Sequence, residues 1–455
     1  MGKEGFRYKN VLVCGMAKSG IAAAKLLKSK GISVAVSDIK PEEKLPAGDL
    51  ESVRNMGAAL FCGKNPDDII GGFDCLVLSP GLDRSLPFIK KAESLKIPVI
   101  GEIELGYIFT PCRIAGITGT NGKTTTTVLT GEIFKTEYPG TQVVGNIGVA
   151  YCDRVSGLKP EDWVVAELSS FQLESVSSFK PNISAVLNIT PDHLNRHKTM
   201  ETYIAAKENI FINQGSEDFT VLNYECEYCR RMGEKTKAET LFFSSKRELS
   251  EGIYLKDGNI IIKWGGINES LIDTNELNIL GEHNYENAMA AAGIALCAGI
   301  SAENIKKALK AFVAVEHRIE FVRTFNGVDY YNDSKGTNPD AAIKAVKAMK
   351  KPVVLIGGGY DKNSDYTDWI LSFGGRVKSL ILIGETAEAI EKSAFENGFH
   401  SVKRAESFEK AVLMAREDAS EGDCVLLSPA CASWDMFKNY EERGRRFKDI
   451  VRGFK

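Results

Sequence analysis

Residues 116–125, Gly-Ile-Thr-Gly-Thr-Asn-Gly-Lys-Thr-Thr, have the composition of a phosphate-binding loop. They follow an apolar run that ends at Ile117 and precede a helix predicted over residues 124–134. Glycines let backbone amides turn toward an anion, a helix N-terminus adds a positive dipole, and Lys123 adds a point charge. The Thr124 hydroxyl stands where such loops bind Mg²⁺. The stretch therefore predicts a site for a nucleoside triphosphate.

The spacing of this loop is narrower than that of the standard Walker loop. The standard pattern has a glycine five residues before Gly122, and Ile117 stands there instead. The alternative is an ordinary glycine-rich turn. A match over so long a string is uncommon by chance, which favours the phosphate-binding interpretation.

Length and charge limit the class of protein. A chain of 455 residues is too long for a single core and predicts about three domains. A net charge of −3 argues against a nucleic-acid partner. No apolar run approaches the roughly 20 residues that cross a bilayer, and the polar first ten residues do not resemble a signal peptide. These features predict neither a nucleic-acid nor a membrane partner. We also expect a cytoplasmic monomer whose partners are small molecules.

The ten cysteines show no spacing typical of a disulfide framework. Cys14, Cys75 and Cys424 lie in apolar runs and are interpreted as buried, reduced thiols. Cys226 and Cys229 form a CxxC pair with no second pair nearby. Zinc or redox use of this pair is the less favoured alternative to chance spacing.

The first part of the chain predicts a parallel sheet. Strands over residues 10–14, 32–37 and 75–79 alternate with helical patterns, one of them over residues 19–30. The turn from Gly15 to Gly20 resembles a dinucleotide fingerprint, with Asp38 at the expected distance. Because Ala17 replaces the middle glycine, NAD is disfavoured, and another nucleotide remains an alternative.

The second and third parts predict two further α/β sheets. Strands over residues 163–166 and 183–189 lead to Glu167 and His193, at the sheet edge where open α/β sheets bind ligands. Residues 219–280 predict a small antiparallel addition. The last part has three buried strands, over residues 353–356, 379–383 and 425–427. The sequence thus predicts an α/β protein of three domains: a Rossmann-like N-terminal sheet (1–101), a central P-loop mononucleotide-binding sheet (102–314) and a C-terminal Rossmann-like sheet (315–455).

Several isolated residues have competing interpretations. Glu167 suits a magnesium-binding acid and a helix N-terminal acid equally well. A lone histidine such as His193 is more often structural, although Asp192 and His197 beside it favour a ligand role. Lys207 on its own would be a solvated helix residue.

Longer strings in the chain resemble the Mur ligase family. The shared motifs are Thr-Gly-Thr-Asn-Gly-Lys-Thr (118–124), Gly-Asn-Ile-Gly (145–148), His-Asn-Tyr-Glu-Asn (283–287) and Glu-His-Arg (316–318). Within the family, four strings are similar to the branch that adds D-glutamate. They are Leu-Ser-Pro-Gly-Leu (78–82), Glu-Leu-Ser-Ser-Phe-Gln-Leu-Glu (167–174), Asn-Asp-Ser-Lys-Gly-Thr-Asn (332–338) and Ser-Pro-Ala-Cys-Ala-Ser-Trp-Asp-Met-Phe (428–437).

The resemblance implies an ATP-dependent ligase of peptidoglycan precursor synthesis, whose substrates are UDP-N-acetylmuramoyl-L-alanine and D-glutamate and whose cofactors are ATP and Mg²⁺. It implies that catalysis uses Lys123, His193 and Lys207, the last as a carbamylated lysine. ATP contacts would come from Gly119, Thr120, Asn121, Gly122, Lys123, Thr124, Thr125, Asn287, Arg318 and Asp333, and metal ligands from Thr124, Glu167, His193 and Lys207. The substrate contacts would be Asp38, Lys40, Ser79, Asn146, Thr337, Lys362, Ser433 and Tyr440.

Three positions depart from the family pattern. Tyr440 stands where a phenylalanine is familiar, Trp434 where a leucine is, and Lys40 where an arginine is. A lysine cannot bind an anion through two parallel hydrogen bonds as arginine does.

Another amide ligase of the same family and a P-loop protein that only senses ATP are the competing functions. The strings at residues 168–172 and 428–433 count against the first, and Lys362 with Ser433 against the second.

Overall fold

A computed structural model describes residues 5–146, 148–313, 315–362 and 364–455. The chain divides into two compact units. One contains the chain up to Thr274 together with Glu286–Leu309, and the other contains Asn275–Tyr285 and Lys310–Lys455. The three domain boundaries given above stay a prediction. Ile147 of the predicted glycine turn and Ala314 at the second boundary lie outside the described residues.

The first unit begins with a five-stranded parallel sheet in the order β3-β2-β1-β4-β5. Its strands are β1 (Asn10–Cys14), β2 (Ser33–Asp38), β3 (Ala59–Cys62), β4 (Cys75–Leu78) and β5 (Val99–Gly101), and its helices are α1 (Lys18–Ser29), α2 (Ala47–Asn55), α3 (Pro87–Ser94) and α4 (Glu102–Phe109). The central strands are continuous apolar runs because both faces of the sheet are covered. This confirms the predicted Rossmann-like sheet.

A nine-stranded sheet follows in the order β14-β13-β12-β11-β10-β9-β6-β8-β7. Its strands are β6 (Arg113–Thr118), β7 (Gln142–Gly145), β8 (Trp163–Glu167), β9 (Ile183–Val186), β10 (Phe219–Asn223), β11 (Glu239–Ser244), β12 (Gly252–Lys256), β13 (Asn259–Trp264) and β14 (Ile267–Asp273). The helices along this part of the chain are α5 (Lys123–Lys135), α6 (Ser170–Leu173), α7 (Leu194–His197), α8 (Met200–Glu208), α9 (Glu227–Lys235), α10 (Glu282–Cys297) and α11 (Ala302–Ala311).

The antiparallel addition is present but smaller than predicted. Both β10 and β11 continue the parallel sheet, and only β12, β13 and β14 pair in antiparallel fashion. Asp257-Gly258 and Gly265-Gly266 form the two tight turns that allow this reversal. Strand β9 ends three residues earlier than predicted. The backbone after Val186 turns to pair with the phosphate loop instead, through Leu187 N–H to Thr118 O (3.0 Å).

The first two sheets share one continuous hydrophobic core. Ala23 and Leu27 of α1, Ile103 and Tyr107 of α4, and the buried ring of Tyr151 belong to the same cluster of buried residues. Burial of apolar area at roughly 25 cal/mol per Å² is the main force that holds such layers together. The two sheets therefore form one compact unit.

The second unit contains a six-stranded sheet in the order β15-β16-β20-β17-β18-β19. Its strands are β15 (Glu320–Phe325), β16 (Val328–Asn332), β17 (Val353–Gly357), β18 (Val377–Leu382), β19 (Val402–Arg404) and β20 (Cys424–Leu427), and its helices are α12 (Pro339–Ala348), α13 (Thr367–Leu371), α14 (Ala387–Glu396), α15 (Phe408–Asp418) and α16 (Tyr440–Arg452). The pair β15–β16 is antiparallel and the other pairs are parallel. Hydrophobic clusters cover both faces of this sheet. No helix among the described residues is long and apolar enough to cross a membrane.

Glu102, at the start of α4, is a buried carboxyl group whose titration affects stability. Its Oε1 accepts a hydrogen bond from the Cys152 backbone N–H (2.7 Å), and burial raises its pKa to about 7. A raised carboxyl pKa means that the folded protein holds this proton more tightly than the unfolded chain. The resulting stabilisation is complete below the unfolded pKa of 4.5 and is lost as the pH rises through about 7.

Glu102→Gln should remove this pH dependence. Between pH 4.5 and 8 the free energy of unfolding of the wild type should fall relative to that of the variant by up to about 3 kcal/mol. Urea unfolding at several pH values measures the difference. Glu43→Gln, at an exposed position, is the control and should follow the wild type. A constant difference between Glu102→Gln and the wild type across this range would contradict the prediction.

Candidate active site

The predicted phosphate loop connects β6 to α5 and lies at the carboxyl edge of the central sheet. Gly122 is the N-cap of α5 and has a left-handed backbone (φ 86°). A Cβ atom there would lie 2.3 Å from Asn287 Oδ1, so only glycine fits. Asn287, far away in the sequence, thus borders the loop, where its Oδ1 also accepts a hydrogen bond from Thr126 Oγ1 (3.2 Å).

Asn188 fixes the shape of the loop, although its sequence context gave no signal of this role. Its side chain accepts a hydrogen bond from Asn121 N–H (2.8 Å) and donates one to Asn121 O (3.0 Å). Its carbonyl accepts from Thr120 N–H (2.9 Å). The Thr120 hydroxyl also contacts the buried Tyr203 hydroxyl (3.0 Å). These bonds hold the loop in one conformation before any ligand binds.

Two lysines reach the loop from different helices. Lys123 Nζ donates to Gly119 O and Thr120 O, both at 2.9 Å. Lys207 Nζ donates to Gly119 O (2.8 Å) and to Thr118 Oγ1 (3.3 Å). Lys207 is 1% exposed, and burial and the neighbouring Lys123 charge lower its pKa well below the usual value. The side chain of Lys207 is therefore buried, although its local sequence suggests a solvated lysine on a helix.

Glu167 ends β8 beside the loop and has the properties of a metal-binding carboxylate. Its Oε1 accepts a hydrogen bond from Asn146 Nδ2 (2.8 Å). Its Oε2 is buried and has no hydrogen-bond partner among the described residues. A buried carboxylate oxygen without a partner is costly, and a divalent cation would remove that cost. The site therefore fits Mg²⁺, with Thr124, fully buried in the first turn of α5, as a further oxygen ligand.

His193 precedes α7 with a left-handed backbone (φ 54°), which is unfavourable for a non-glycine residue. Its ring is 45% exposed and lies 4.9 Å from the ring of Phe171. His197 has the opposite environment. It is buried, stacks on Phe171, and contacts Ser170 Oγ (2.9 Å) and Glu174 (3.2 Å). Burial lowers the pKa of His197, and of the two imidazoles His193 is the more accessible.

Predicted nucleotide contacts of the first sheet lie at the carboxyl ends of adjacent strands. Asp38 ends β2, and its carboxylate accepts hydrogen bonds from the backbone N–H groups of Met16 (2.8 Å) and Lys40 (2.9 Å). Ser79 follows β4 and donates to Gly15 O (3.1 Å). Lys40 is exposed. The structure thus shows Asp38 shaping the local loop, while its role toward a ligand stays a prediction.

In the second unit, Asp333 follows β16 at the carboxyl edge of the third sheet. Its Oδ2 accepts a hydrogen bond from Ser428 Oγ (2.7 Å), and its Oδ1 accepts from Ile319 N–H (3.3 Å). Burial raises its pKa to about 7, and the Ser428 hydrogen bond and the Arg318 charge oppose that rise. Asp333 and Arg318 therefore belong to one electrostatic cluster, while their role toward a nucleotide stays a prediction.

Arg443 organises the loops around this edge, a role that its helical sequence context did not predict. The guanidinium is 1% exposed and donates to four groups of two loops: Ser334 Oγ (3.0 Å), Ser334 O (2.8 Å), Cys431 O (3.1 Å) and Ala432 O (3.2 Å). A planar guanidinium with five donors suits this task better than any other side chain. Arg443 thereby positions the loop that carries the buried Ser433.

The remaining predicted substrate residues lie in neighbouring loops of the second unit. Lys362 follows β17 and is exposed, with its ammonium 5.3 Å from the ring centre of Trp434. Tyr440 begins α16, and Lys335 Nζ lies 5.1 Å from the centre of its ring. Thr337 precedes α12, and its N–H donates to Lys335 O (2.9 Å). The strands β16, β20 and β17 are adjacent, so their carboxyl ends bring these loops together.

Arg196 connects the first sheet to the central sheet and is a third residue that sequence analysis missed. It donates to Pro80 O (3.2 Å), Gly81 O (3.4 Å) and Leu82 O (2.9 Å) and pairs with Glu174 (3.0 Å). Its guanidinium also lies 4.2 Å from the ring centre of Phe171. Its partner carbonyls lie more than a hundred residues away in the sequence, so no local spacing reveals them.

Arg196→Ala should loosen the loop at residues 80–82 and lower the free energy of unfolding by about 2 kcal/mol, since charge-assisted hydrogen bonds are lost. Arg196→Lys should restore little of the lost stability, because lysine lacks the planar guanidinium group with its several donors. Hydrogen–deuterium exchange of the loop and urea unfolding measure both effects. Arg231→Ala, at an exposed ion pair, is the control and should change neither. Unaltered exchange in Arg196→Ala would refute the role given to Arg196.

Known proteins resemble this chain over nearly its whole length. Sequence models of three domains match it: "Mur ligase MurD-like, N-terminal domain" over residues 9–101, "Mur ligase middle domain" over 117–295 and "Mur ligase, glutamate ligase domain" over 317–431. A relative from Lachnoclostridium phytofermentans is 48% identical over 450 residues, which cover 99% of each chain. One from Thermoanaerobacter sp. (strain X514) is 48% identical over 445 residues, which cover 97% of this chain and 98% of the relative. Both are named UDP-N-acetylmuramoylalanine--D-glutamate ligase.

Solved structures show the same fold at low sequence identity. The UDP-N-acetylmuramate-alanine ligase of Thermotoga maritima aligns with a TM-score of 0.62 at 19% identity and covers 98% of this chain and 100% of its own. A pseudomurein peptide ligase type C from Methanothermus fervidus aligns with a TM-score of 0.61 at 19% identity and the same coverage. Together with the domain matches and the high identity of the relatives, this fold shows that the chain belongs to the Mur ligase family.

Proposed function

We propose that this chain is an ATP-dependent ligase that joins D-glutamate to UDP-N-acetylmuramoyl-L-alanine in peptidoglycan precursor synthesis. The observation that carries the proposal is the 48% identity over 450 residues to a relative that bears the name of this activity. Eight relatives of that name are 44–48% identical to the chain over at least 97% of its length. The geometry of the two units supports the chemistry that the name implies.

Amide formation from a free carboxylate is unfavourable in water, so the acid must first be activated. In the proposed reaction the substrate carboxylate attacks the γ-phosphorus of ATP, ADP leaves, and an acyl phosphate forms. The amine of D-glutamate then attacks the acyl carbon and phosphate leaves. Lys123 and the amides of residues 119–125 offset the repulsion between the carboxylate and the triphosphate, which is the main electrostatic obstacle to the first step. Asn287 borders the same loop and supports a contact with the nucleotide.

Mg²⁺ is part of the proposal, and Thr124, Glu167, His193 and Lys207 would hold it. When bound, the ion supplies positive charge that stabilises the phosphoryl oxygens. The orphaned Oε2 of Glu167 supports this assignment, as does the accessible imidazole of His193. Asn146 orients the Glu167 carboxylate through its hydrogen bond to Oε1 and leaves Oε2 for a ligand.

Lys207 contributes to this set as a carbamate. The lysine ammonium first loses a proton; the neutral amine then attacks carbon dioxide, forms an N–C bond and releases a second proton, which leaves an anionic carbamate. Burial of Lys207 at 1% exposure favours the uncharged amine that this step requires. A carbamate would also replace the repulsion from Lys123 by attraction.

The substrates are assigned to separate loops. We propose that Asp38, Lys40 and Ser79 contact the UDP end of the muramoyl nucleotide and Asn146 its muramoyl end. Arg318 and Asp333 would contact the adenosine side of ATP. D-Glutamate carries two carboxylates and needs cationic and hydroxyl partners, which Lys362, Ser433 and Thr337 offer, with Tyr440 at the rim. The exposed Trp434 and its neighbour Tyr360 (ring centres 5.5 Å apart) give this pocket an aromatic wall beside Lys362.

We also propose that the protein acts in the cytoplasm, because the reaction consumes ATP. We propose that it acts as a monomer, because one chain contains all the domains to which the substrates are assigned. This part of the proposal rests on the reaction itself.

Phosphate release with ATP, Mg²⁺ and UDP-N-acetylmuramoyl-L-alanine tests the proposal. D-Glutamate should raise the rate by orders of magnitude, because only the amine completes the reaction. L-Glutamate, L-alanine and meso-diaminopimelate at equal concentration should not. Ligation of any competitor as fast as D-glutamate would assign the chain to another branch of the family. Steady ATP hydrolysis that ignores every amino acid would instead favour an ATP sensor.

Lys207→Ala should lose most ligase activity, because the extra anionic ligand and the contact to Gly119 disappear together. Removal of one preorganised electrostatic group typically costs 10²–10³-fold in kcat. Short-chain carboxylates such as acetate should partly restore the activity by supplying an anion in the vacated space. Lys198→Ala, at an exposed position between α7 and α8, is the control and needs no rescue. Wild-type turnover of Lys207→Ala without any added carboxylate would leave Lys207 with no role in the reaction.

A further inference from the structure

The CxxC pair at residues 226–229 lies in the first unit, at the beginning of α9. Cys226 is the N-cap of this helix and has a non-helical backbone, and Cys229 lies one turn further on. Cys226 is half-buried, whereas Cys229 is fully buried. Side chains three residues apart on a helix have Cβ atoms about 5–6 Å apart, slightly more than a disulfide requires. The proposed disulfide therefore requires a rotation of Cys226, whose backbone lies outside the helix.

The surroundings of the two sulfur atoms differ in a way that favours stepwise reaction. The Cys226 sulfur accepts hydrogen bonds from the Cys229 thiol and from the backbone N–H groups of Tyr228, Cys229 and Ile189, and these bonds lower its pKa to about 6. The Cys229 thiol also lies 3.5 Å from Val186 O, and the contact with Cys226 and burial raise its pKa. One accessible, activated sulfur beside one buried sulfur is the arrangement that thiol–disulfide exchange uses.

The pair contacts the backbone segment that holds the phosphate loop. Val186 O and Ile189 N–H, the partners of the two sulfurs, flank the segment 187–188. The same segment pairs with the loop through Leu187 N–H to Thr118 O (3.0 Å) and through the Asn188 bonds to Asn121 (2.8 and 3.0 Å). A change in the position of either sulfur therefore acts on the support of the loop.

We propose that Cys226 and Cys229 form a reversible disulfide that weakens nucleotide binding at the phosphate loop. The proposal takes up the redox alternative that the CxxC spacing left open, and it rests on the proposed function in that the loop must bind ATP. In the first step the Cys226 thiolate attacks a low-molecular-weight disulfide and releases one thiolate. In the second step the Cys229 sulfur attacks the mixed disulfide, gives up its proton and releases a second thiol. The two protein thiols are oxidised, and the small disulfide is reduced to two thiols.

The reduced full-length protein, equilibrated with mixtures of reduced and oxidised glutathione, tests the first half of the proposal. Alkylation followed by peptide mass mapping should show a Cys226–Cys229 disulfide at ratios that leave the other cysteines alkylated. Cys229→Ser should stop at a glutathione adduct on Cys226, and Cys226→Ser should form neither product. Cys62→Ser, which removes another half-buried thiol, is the matched control and should behave as the wild type. If Cys226 and Cys229 stay as alkylatable as Cys62 at every ratio, the proposal is overturned.

The second half of the proposal, that the disulfide weakens nucleotide binding, is tested on the same samples. Oxidation should raise the KM for ATP and the dissociation constant of a fluorescent ATP analogue about fivefold or more, the usual size of coupling between two sites. Cys226→Ser should keep the reduced-state values under both conditions. A fully formed disulfide with unchanged nucleotide affinity would overturn the regulatory role. Should the reduced protein fail to ligate D-glutamate, the proposed function falls, while disulfide mapping and analogue binding still decide this proposal.

Discussion

Two lysine side chains donate to the same carbonyl oxygen, that of Gly119, and this is the interaction on which the central site depends. Lys123 Nζ lies 2.9 Å and Lys207 Nζ 2.8 Å from that oxygen. Two ammonium groups at such a short separation repel each other by about 3 kcal/mol at an effective dielectric constant of 20. The lowered pKa of Lys207 is one response to that repulsion. The carboxylate of Glu167 is another, because its negative charge favours the protonated form of Lys207.

The surrounding residues follow from this electrostatic constraint. The conformation of the loop is set by hydrogen bonds within the protein. Asn188 and Tyr203 supply the bonds that fix it from behind. Glu167 supplies a negative charge that acts on Lys207, and the buried Oε2 of that carboxylate has no hydrogen-bond partner among the described residues. Positive and negative groups therefore lie close together at this edge of the sheet.

Much of this arrangement could be predicted from the sequence, because it depends on local patterns. The apolar strands, the phosphate loop and the position of Glu167 at the end of β8 all follow from spacing along the chain. The contributions of Arg196, Arg443 and Asn188 could not be predicted, since each of these residues bonds to backbone groups that only the fold brings near. Lys207 has the sequence context of a surface lysine, and its burial appears only when α8 packs against the loop. The antiparallel addition was predicted too large because β10 and β11 have the same alternating apolar pattern as the hairpins that follow.

The glycine turn at residues 145–148 shows how the structure changes the meaning of a motif. Gly145 pairs with Glu167 across strands β7 and β8, and it has a left-handed backbone (φ 107°). A Cβ atom at Gly145 would lie 2.2 Å from the carbonyl oxygen of Glu167. Glycine is needed there for the close approach of the two strands, which also places Asn146 N–H on that carbonyl (2.9 Å) and Asn146 Nδ2 on the Glu167 carboxylate. The turn therefore acts first on the orientation of Glu167, and any contact of Asn146 with a substrate builds on that role.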